Sequence, residues 1–300
     1  MSVQNRVGFL GSVTLDLKLC HVSGSQLLCA HGKCDVNYEL QPGGGAVNAA
    51  RQAERLGADT RLVALVGNDD LGQLLQRRLR RDFRHSVTAP LLHHSRLSLI
   101  SEDGCLTSRP ELSVLQPPRE LVQELEDCSH LLIGPALPAD TDFLERLLDG
   151  LPVHTTTLLQ LSERQLRDRA VTRRLVSRCS IVVVNEAEAC SFSGRENPEA
   201  AFLQLAEECR NDVVMTSSTQ VRARCPEGEL VRAVRSPSTI RRPVGAGDVL
   251  AGTLLAAMAD DREFGESLDL ALAAAGIHIT GRTMPAHLDE LLAVAELCVQ

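Results

Sequence analysis

Short apolar runs alternate along this chain with stretches whose apolar residues recur every three or four positions. Val7 to Leu10, Arg61 to Val66, Leu97 to Ile100, Leu131 to Ile133, Thr156 to Leu161, Ile181 to Val184 and Val213 to Thr216 read as strands. Gly45 to Leu56 and Asp69 to Arg81 read as helices, and further helical periodicity follows Glu163, Pro198, Gly245, Glu266 and Ala286. This alternation predicts an α/β fold with a mostly parallel sheet flanked by helices on both faces. Residues 17–40 and 97–109 break the rhythm with short mixed segments rich in Ser, Gly and Asp, and read as a small β lid. The Pro117-Pro118 pair then favours an extended connector back to the main body. No internal repeat interrupts the pattern, so residues 1–300 are expected to form a single α/β domain carrying the two lid segments.

Composition narrows what such a body can do. A chain of 300 residues, 44% hydrophobic and 23% charged, can bury a substantial core without staples. A formal net charge of -8, with Tyr38 as the lone tyrosine, six Phe and no Trp, argues against nucleic acid as a partner, because a polyphosphate is repelled and stacking platforms are scarce. The apolar run at Val7 to Leu10 is broken by Gly11 and does not resemble a signal peptide, and no stretch is long enough to span a membrane. A cytoplasmic protein is therefore expected. Its ten cysteines contain no C-x-x-C pair, which argues for reduced thiols packed as small hydrophobes rather than for zinc. The adjacent His93-His94 reads as a loop feature rather than a ligand set.

Two glycine clusters carry candidate chemistry. Gly245-Ala246-Gly247-Asp248 directly precedes the small-residue helical run Val249 to Met258. Successive amides at a helix N-terminus, aided by the helix dipole, form a seat for phosphate oxygens, and an aspartate in the same turn can take the proton of an attacking hydroxyl. Gly and Asp also serve as plain helix caps, so from the tetrapeptide alone a cap and an active site both fit. A dinucleotide fingerprint would need glycine where Leu250 stands, and a P-loop would need a lysine, while the lysines here are Lys18 and Lys33. At the other cluster, Gly43-Gly44-Gly45-Ala46-Val47-Asn48 opens a helix that runs on through Leu56-Gly57 to the Gly67 to Gly72 segment. Glycines there let backbone amides approach a polyhydroxy ligand, and Asn48 can donate to and accept from a hydroxyl. Asp16 follows the first strand, where open α/β sheets place their ligands. A glycine turn and an exposed turn aspartate remain the plain structural readings of these residues.

The order and spacing of Asp16, the Gly43-Gly44 to Asn48 block, Asn185-Glu186-Ala187-Glu188 and Gly245-Ala246-Gly247-Asp248 resemble the ribokinase, or PfkB, family of carbohydrate and nucleoside kinases over nearly the whole chain. The resemblance implies a ribokinase-like fold and a phosphotransferase acting on an alcohol group, with ATP and Mg2+ as cofactors. It implies Asp248 as the catalytic base and Gly245, Ala246 and Gly247 as the anion hole. Thr14, Asp16, Gly43, Gly44 and Asn48 would hold the sugar, Asn185, Thr216 and Ser218 would meet the nucleotide, and Glu188 would act on magnesium through water. A lid closing over the substrate would exclude water, and pairing of two copies through that lid is a further expectation.

The chain also departs from the family pattern. Arg242-Pro243-Val244 stands where relatives carry Asp-Thr-Thr or Asp-Thr-Val, and the missing aspartate normally helps to hold potassium beside the anion hole. Arg242 is expected to replace that ion, so that potassium is not required. Ser218 and Val221 occupy positions where relatives have glycine, Ala136 falls where many sugar kinases place a glutamate, and the stretch from Ile279 to Pro285 is shorter than its counterpart. These changes keep in view a non-catalytic protein that binds a sugar or nucleotide; a nucleoside kinase is a further alternative, against which the scarcity of aromatic side chains for stacking a base argues mildly.

Overall fold

A computed structural model describes residues 5–20, 37–101, 104–108, 111–113, 117–134, 141–161, 166, 169–209, 212–234 and 244–298. In chain order the elements are β1 (Arg6–Ser12), β2 (Thr14–Cys20), β3 (Asn37–Gly43), α1 (Gly45–Arg55), β4 (Thr60–Gly67), α2 (Asp70–Asp82), β5 (Ser86–Leu92), β6 (Arg96–Ser101) and β7 (Gly104–Thr107). There follow α3 (Arg119–Gln123), β8 (Cys128–Ile133), α4 (Thr141–Gly150), β9 (Thr156–Gln160), α5 (Arg169–Val176), β10 (Ile181–Asn185), α6 (Glu186–Ser193) and α7 (Pro198–Glu208). The chain continues through β11 (Asp212–Thr216), β12 (Gln220–Cys225), β13 (Gly228–Ala233), α8 (Ala246–Ala259), α9 (Phe264–Thr280) and α10 (Leu288–Cys298).

Nine strands form the main sheet in the order β13-β12-β11-β10-β9-β8-β1-β4-β5. Strands β5 through β11 in that order run parallel, and β12 and β13 add an antiparallel edge. Alternate residues of each central strand serve opposite helical layers. Phe9, Leu62, Leu158 and Val183 share one core cluster with Val47, Leu75, Leu254 and Leu268 of α1, α2, α8 and α9. Leu10, Val63, Leu159 and Val184 share another with Phe143, Phe192 and Phe202 of α4, α6 and α7. Burial on both faces is why these strands read as continuous apolar runs rather than as alternating ones.

The strands absent from the sequence reading lie at the margins. β5 contains Pro90 and is half-buried over most of its length, and β12 alternates Val221 and Ala223 with Arg222 and Arg224. β5 is an edge strand and β12 lies beside the edge strand β13, and a strand with one wet face offers no apolar run to detect. Helices α3, α4 and α6 also fall in gaps to which no clear periodicity was assigned.

The second sheet, in the order β3-β2-β6-β7, is the β structure expected of the lid segments, although residues 21–36 lie outside the described residues. Its register sets Asp16, Gln41, Ser98 and Thr107 on one face and Leu17, Leu40, Leu99 and Leu106 on the other. The Gly67 to Gly72 segment ties this sheet to the main body. Asp69 caps α2 by accepting from the Gly72 amide at 2.7 Å, and the same carboxylate accepts from the Ser95 amide at 2.8 Å and the Ser95 hydroxyl at 2.6 Å. Burial pushes the Asp69 carboxyl up, but these donors outweigh it and hold the group below its ordinary range.

Helices α1 and α8 pack closely, and that contact positions the site. A Cβ on Gly252 would lie 2.3 Å from the carbonyl oxygen of Ala49, and Gln52 Nε2 donates to Thr253 Oγ1 at 3.2 Å within the contact. Backbone against backbone leaves nothing that can yield. Gly252→Ala is therefore expected to force the helices apart and destabilise the protein by about 1–3 kcal/mol, as overpacking does. Chemical denaturation measures the loss, and an unchanged midpoint would contradict the close approach.

Candidate active site

The order of the strands creates a crevice before any side chain is considered. From β1 the chain proceeds to β4 on one side, whereas β8 is followed by β9 on the other, so the two central strands diverge at their carboxyl ends. Ligands of open α/β sheets settle at such a switch point. Ser12, Gly134, Gln160, Asn185 and Thr216 end or follow β1, β8, β9, β10 and β11, and the register pairs Val183 with Gln160 and Asn185 with Thr216 along this rim.

The N-terminus of α8 opens on the same crevice. Gly245 adopts φ 88°, a left-handed conformation suited to glycine, and its carbonyl accepts the first helical bond from Val249 at 2.9 Å. No side chain caps this turn. Asp248 thus does not cap its own helix, and its two oxygens are engaged elsewhere. Asn48 Nδ2 donates to Oδ2 at 2.9 Å, and Gln160 Nε2 donates to Oδ1 at 3.2 Å. His278, in the last turn of α9, shares a 2.9 Å hydrogen bond with the carbonyl of Val244 just ahead of the turn. Protein surrounds the Asp248 carboxyl on most sides, and this burial raises its pKa. The two amide donors and the charge of His278 act in the opposite direction. The result is a desolvated carboxylate, held by directed donors, beside uncapped helix amides.

The residues expected on the substrate side gather around it. Thr14 and Gly43 are register partners on β2 and β3, Gly44 caps α1 with φ 100°, and Asn48 stands in the first turn of that helix. Asp16 packs so tightly on Gly43 that a Cβ there would lie 1.9 Å from Asp16 Oδ2. Burial pushes the Asp16 carboxyl up to about 6, against the hydrogen bond of Ser98 and the positive charges of Arg96 and Arg51, while the charge of Asp248 pushes it further up. Asp16 therefore lies within electrostatic reach of Asp248. Arg51 lies over the Phe83 ring at 5.6 Å and donates to the Pro42 carbonyl at 3.3 Å.

The expected nucleotide-side residues lie along the same rim, where their visible bonds are structural. Asn185 Oδ1 accepts from the Glu188 amide and Glu188 Oε2 from the Asn185 amide, both at 2.8 Å, which is a reciprocal capping box at the start of α6. Thr216 Oγ1 donates to the Val184 carbonyl at 3.3 Å, and Ser218 sits in the turn that Ser217 closes onto Gln220. Val221 is buried in the core, so its side chain does not face the cleft rim. Ala136, Arg242 and Pro243 lie outside the described residues. Among the described residues no group of three His, Cys, Asp or Glu side chains gathers to hold a metal, and no helix is long and apolar enough to cross a membrane.

Gln160, Ser98, Arg51, Arg96 and His278 were not singled out from the sequence. Gln160 left a trace, being the one polar residue between Leu159 and Leu161 at the carboxyl end of a strand. Arg51 is three residues beyond Asn48 and shares its helix face. Ser98, Arg96 and His278 left none, because each is brought in by a separate element.

A parallel sheet with a β lid, an uncapped glycine turn and a facing carboxylate together define a ribokinase-type kinase fold. The chain belongs to the pfkB family of carbohydrate kinases, whose model matches residues 12–284. It is 28% identical over 266 residues to a cytidine kinase of Thermococcus kodakarensis, covering 84% of this chain and 91% of that protein. An E. coli protein described as a ribokinase II, solved with ATP and Mg2+, superposes with a TM-score of 0.75 at 18% identity, covering 98% and 99% of the two chains. The aminoimidazole riboside kinase of Salmonella enterica, solved with aminoimidazole riboside and an ATP analogue, superposes with a TM-score of 0.70 at 18% identity, covering 97% of this chain and all of the other (100%).

Proposed function

We propose that this protein transfers the γ-phosphoryl group of ATP to a hydroxyl of a sugar or related polyol, with Asp248 as base. The observation that carries the reading is the placement of Asp248. It sits at the uncapped N-terminus of α8, is fixed by Asn48 and Gln160, and lies within electrostatic reach of Asp16.

The reaction follows from these parts. Asp16, with Thr14 and the backbone at Gly43 and Gly44, holds the acceptor so that one hydroxyl donates to Asp248. The hydroxyl oxygen forms a bond to the γ-phosphorus, its proton passes to Asp248, and the bond to the ADP oxygen breaks. The amides of Gly245, Ala246 and Gly247 receive the charge on the transferring group, a role that preorganised helix amides perform without reorganisation. Raised basicity makes Asp248 a better proton acceptor, and its donors keep it ionised. Magnesium, when bound with the phosphates, would neutralise their charge. The residues fit a metal that keeps most of its water and needs only one or two protein carboxylates, and Glu188 would reach it through water. Asn185, Thr216 and Ser218 stand along the rim where the nucleotide would lie.

A nucleoside acceptor is the second reading, favoured by the similarity to a cytidine kinase. The lid's outer face exposes Tyr38, Leu97 and Leu106, apolar area suited to pairing two copies through their lids. ADP release from ATP and Mg2+ with ribose, fructose, cytidine and aminoimidazole riboside tests the assignment. Turnover with any of them supports the kinase. Ligand binding without ADP release from any of them would make the protein a sensor instead.

A further inference from the structure

Gln160 stands where the surrounding strand would favour an apolar side chain. Its neighbours Leu159 and Leu161 are both 1% exposed, and its own amide reaches the carboxyl end of β9 beside Asp248. One half of that amide is satisfied: Nε2 donates to Asp248 Oδ1 at 3.2 Å. The other half is not. Oε1 is buried and has no hydrogen-bond partner among the described residues.

That imbalance separates two roles. A glutamine kept for packing would satisfy its carbonyl or yield to leucine, because a buried acceptor without a donor weakens the fold. Turning the amide over would not help, since an ionised carboxylate only accepts, and Oε1 facing Oδ1 would set two acceptors against each other. The orientation in which Oε1 is left without a donor is the one that serves Asp248. From this geometry we infer that Gln160 is a positioning residue, holding Asp248 Oδ1 from the sheet while Asn48 holds Oδ2 from α1, so that the remaining lone pairs of the carboxylate are aimed at the acceptor. Gln160 also lies next to the glycine turn, since a Cβ added to Gly247 would come 3.4 Å from its Nε2.

The groups bearing on Asp248 are Asn48 from α1, Gln160 from β9 and His278 from α9, and Asp16 from β2 couples to it through charge. With Gln160 removed, burial and Asp16 would act on a carboxylate with one donor fewer, and its proton affinity rises. This inference rests on the base assignment above, so its test is made on the ligand-free full chain, where no acceptor is needed. Carbon-13 NMR titration of the aspartate carboxyls, with Asp248→Asn identifying the Asp248 signal, compares the wild type with Gln160→Leu and Gln160→Met. The expected result is a midpoint for Asp248 higher by about one pH unit in both variants, a tenfold change in proton affinity. Their melting temperatures are expected to be equal to or above that of the wild type, because the unsatisfied carbonyl is gone. An unmoved Asp248 midpoint, or a shared loss of melting temperature showing that the glutamine is structural, would overturn the inference. Where an acceptor turns over, the acid limb of kcat/KM moves by the same amount. A protein that phosphorylated nothing would refute the kinase reading and leave the titration standing.

Discussion

Asp248→Asn is expected to lower kcat by about 10³-fold while leaving the acceptor KM within a few-fold, since general base catalysis is worth roughly 10²–10⁴. The substitution keeps shape and volume but removes the proton acceptor. It also sets an amide against the donors of Asn48 and Gln160, whose bonds of 2.9 and 3.2 Å are both made to carboxylate oxygens. Only the new carbonyl can accept from one of them. The variant should remain folded, because burial has already made the ionised form of Asp248 less favourable than in water. Steady-state ADP release together with circular dichroism checks both halves. Turnover retained to within tenfold would remove Asp248 from the base role.

Asp16→Asn is expected to act in opposite directions on activity and stability. The Asp16 carboxyl is pushed up to about 6 chiefly by burial, from an ordinary value of 3.8. A carboxyl whose folded pKa lies above its unfolded one contributes stability below about pH 4 and loses it as pH rises through 6. At pH 7.5 the wild type therefore carries a destabilising charge that asparagine lacks. The full shift corresponds to about 3 kcal/mol at 1.36 kcal/mol per unit, and the solvent-facing part of the carboxylate cuts this to roughly 1–2 kcal/mol. Urea denaturation should show the variant more stable by that amount at pH 7.5 and equal to the wild type at pH 4. Loss of a charged hydrogen bond to the acceptor is expected to reduce kcat/KM by roughly 10–100-fold, the equivalent of about 1.5–3 kcal/mol. A variant of unchanged stability at both pH values would show that Asp16 is not strained by burial, and unchanged kcat/KM would remove it from the acceptor site.

Much of the scaffold was legible because the forces behind it are local and periodic. Strands buried on both faces, such as Ile181 to Asn185, leave apolar runs, and α1 and α2 leave amphipathic repeats. β5, at one edge of the sheet, and β12, beside the edge strand β13, were missed because each keeps a face toward water. The glycine clusters were visible as composition, but their reasons were not. Gly245 is required by a φ of 88°, whereas Gly43 is required by the carboxylate of a residue 27 positions earlier in the chain.

The sequence by itself determined the layered α/β architecture, the glycine turn ahead of α8 and the presence of Asn48 and Asp248 in the first turns of their helices. Those depend on periodicity and on neighbours within a few positions. Asp16, read as a turn residue after the first strand, lies instead within β2 of the lid sheet. Only the tertiary structure decided that Asp248 faces Asn48, 200 positions away, and Gln160, 88 positions away, rather than its own helix. It likewise turned Asn185 and Glu188 toward each other in a capping box. The physical reason is that a side chain's electrostatic environment is a property of what the fold packs around it, and contacts between distant segments leave no period in the chain to read.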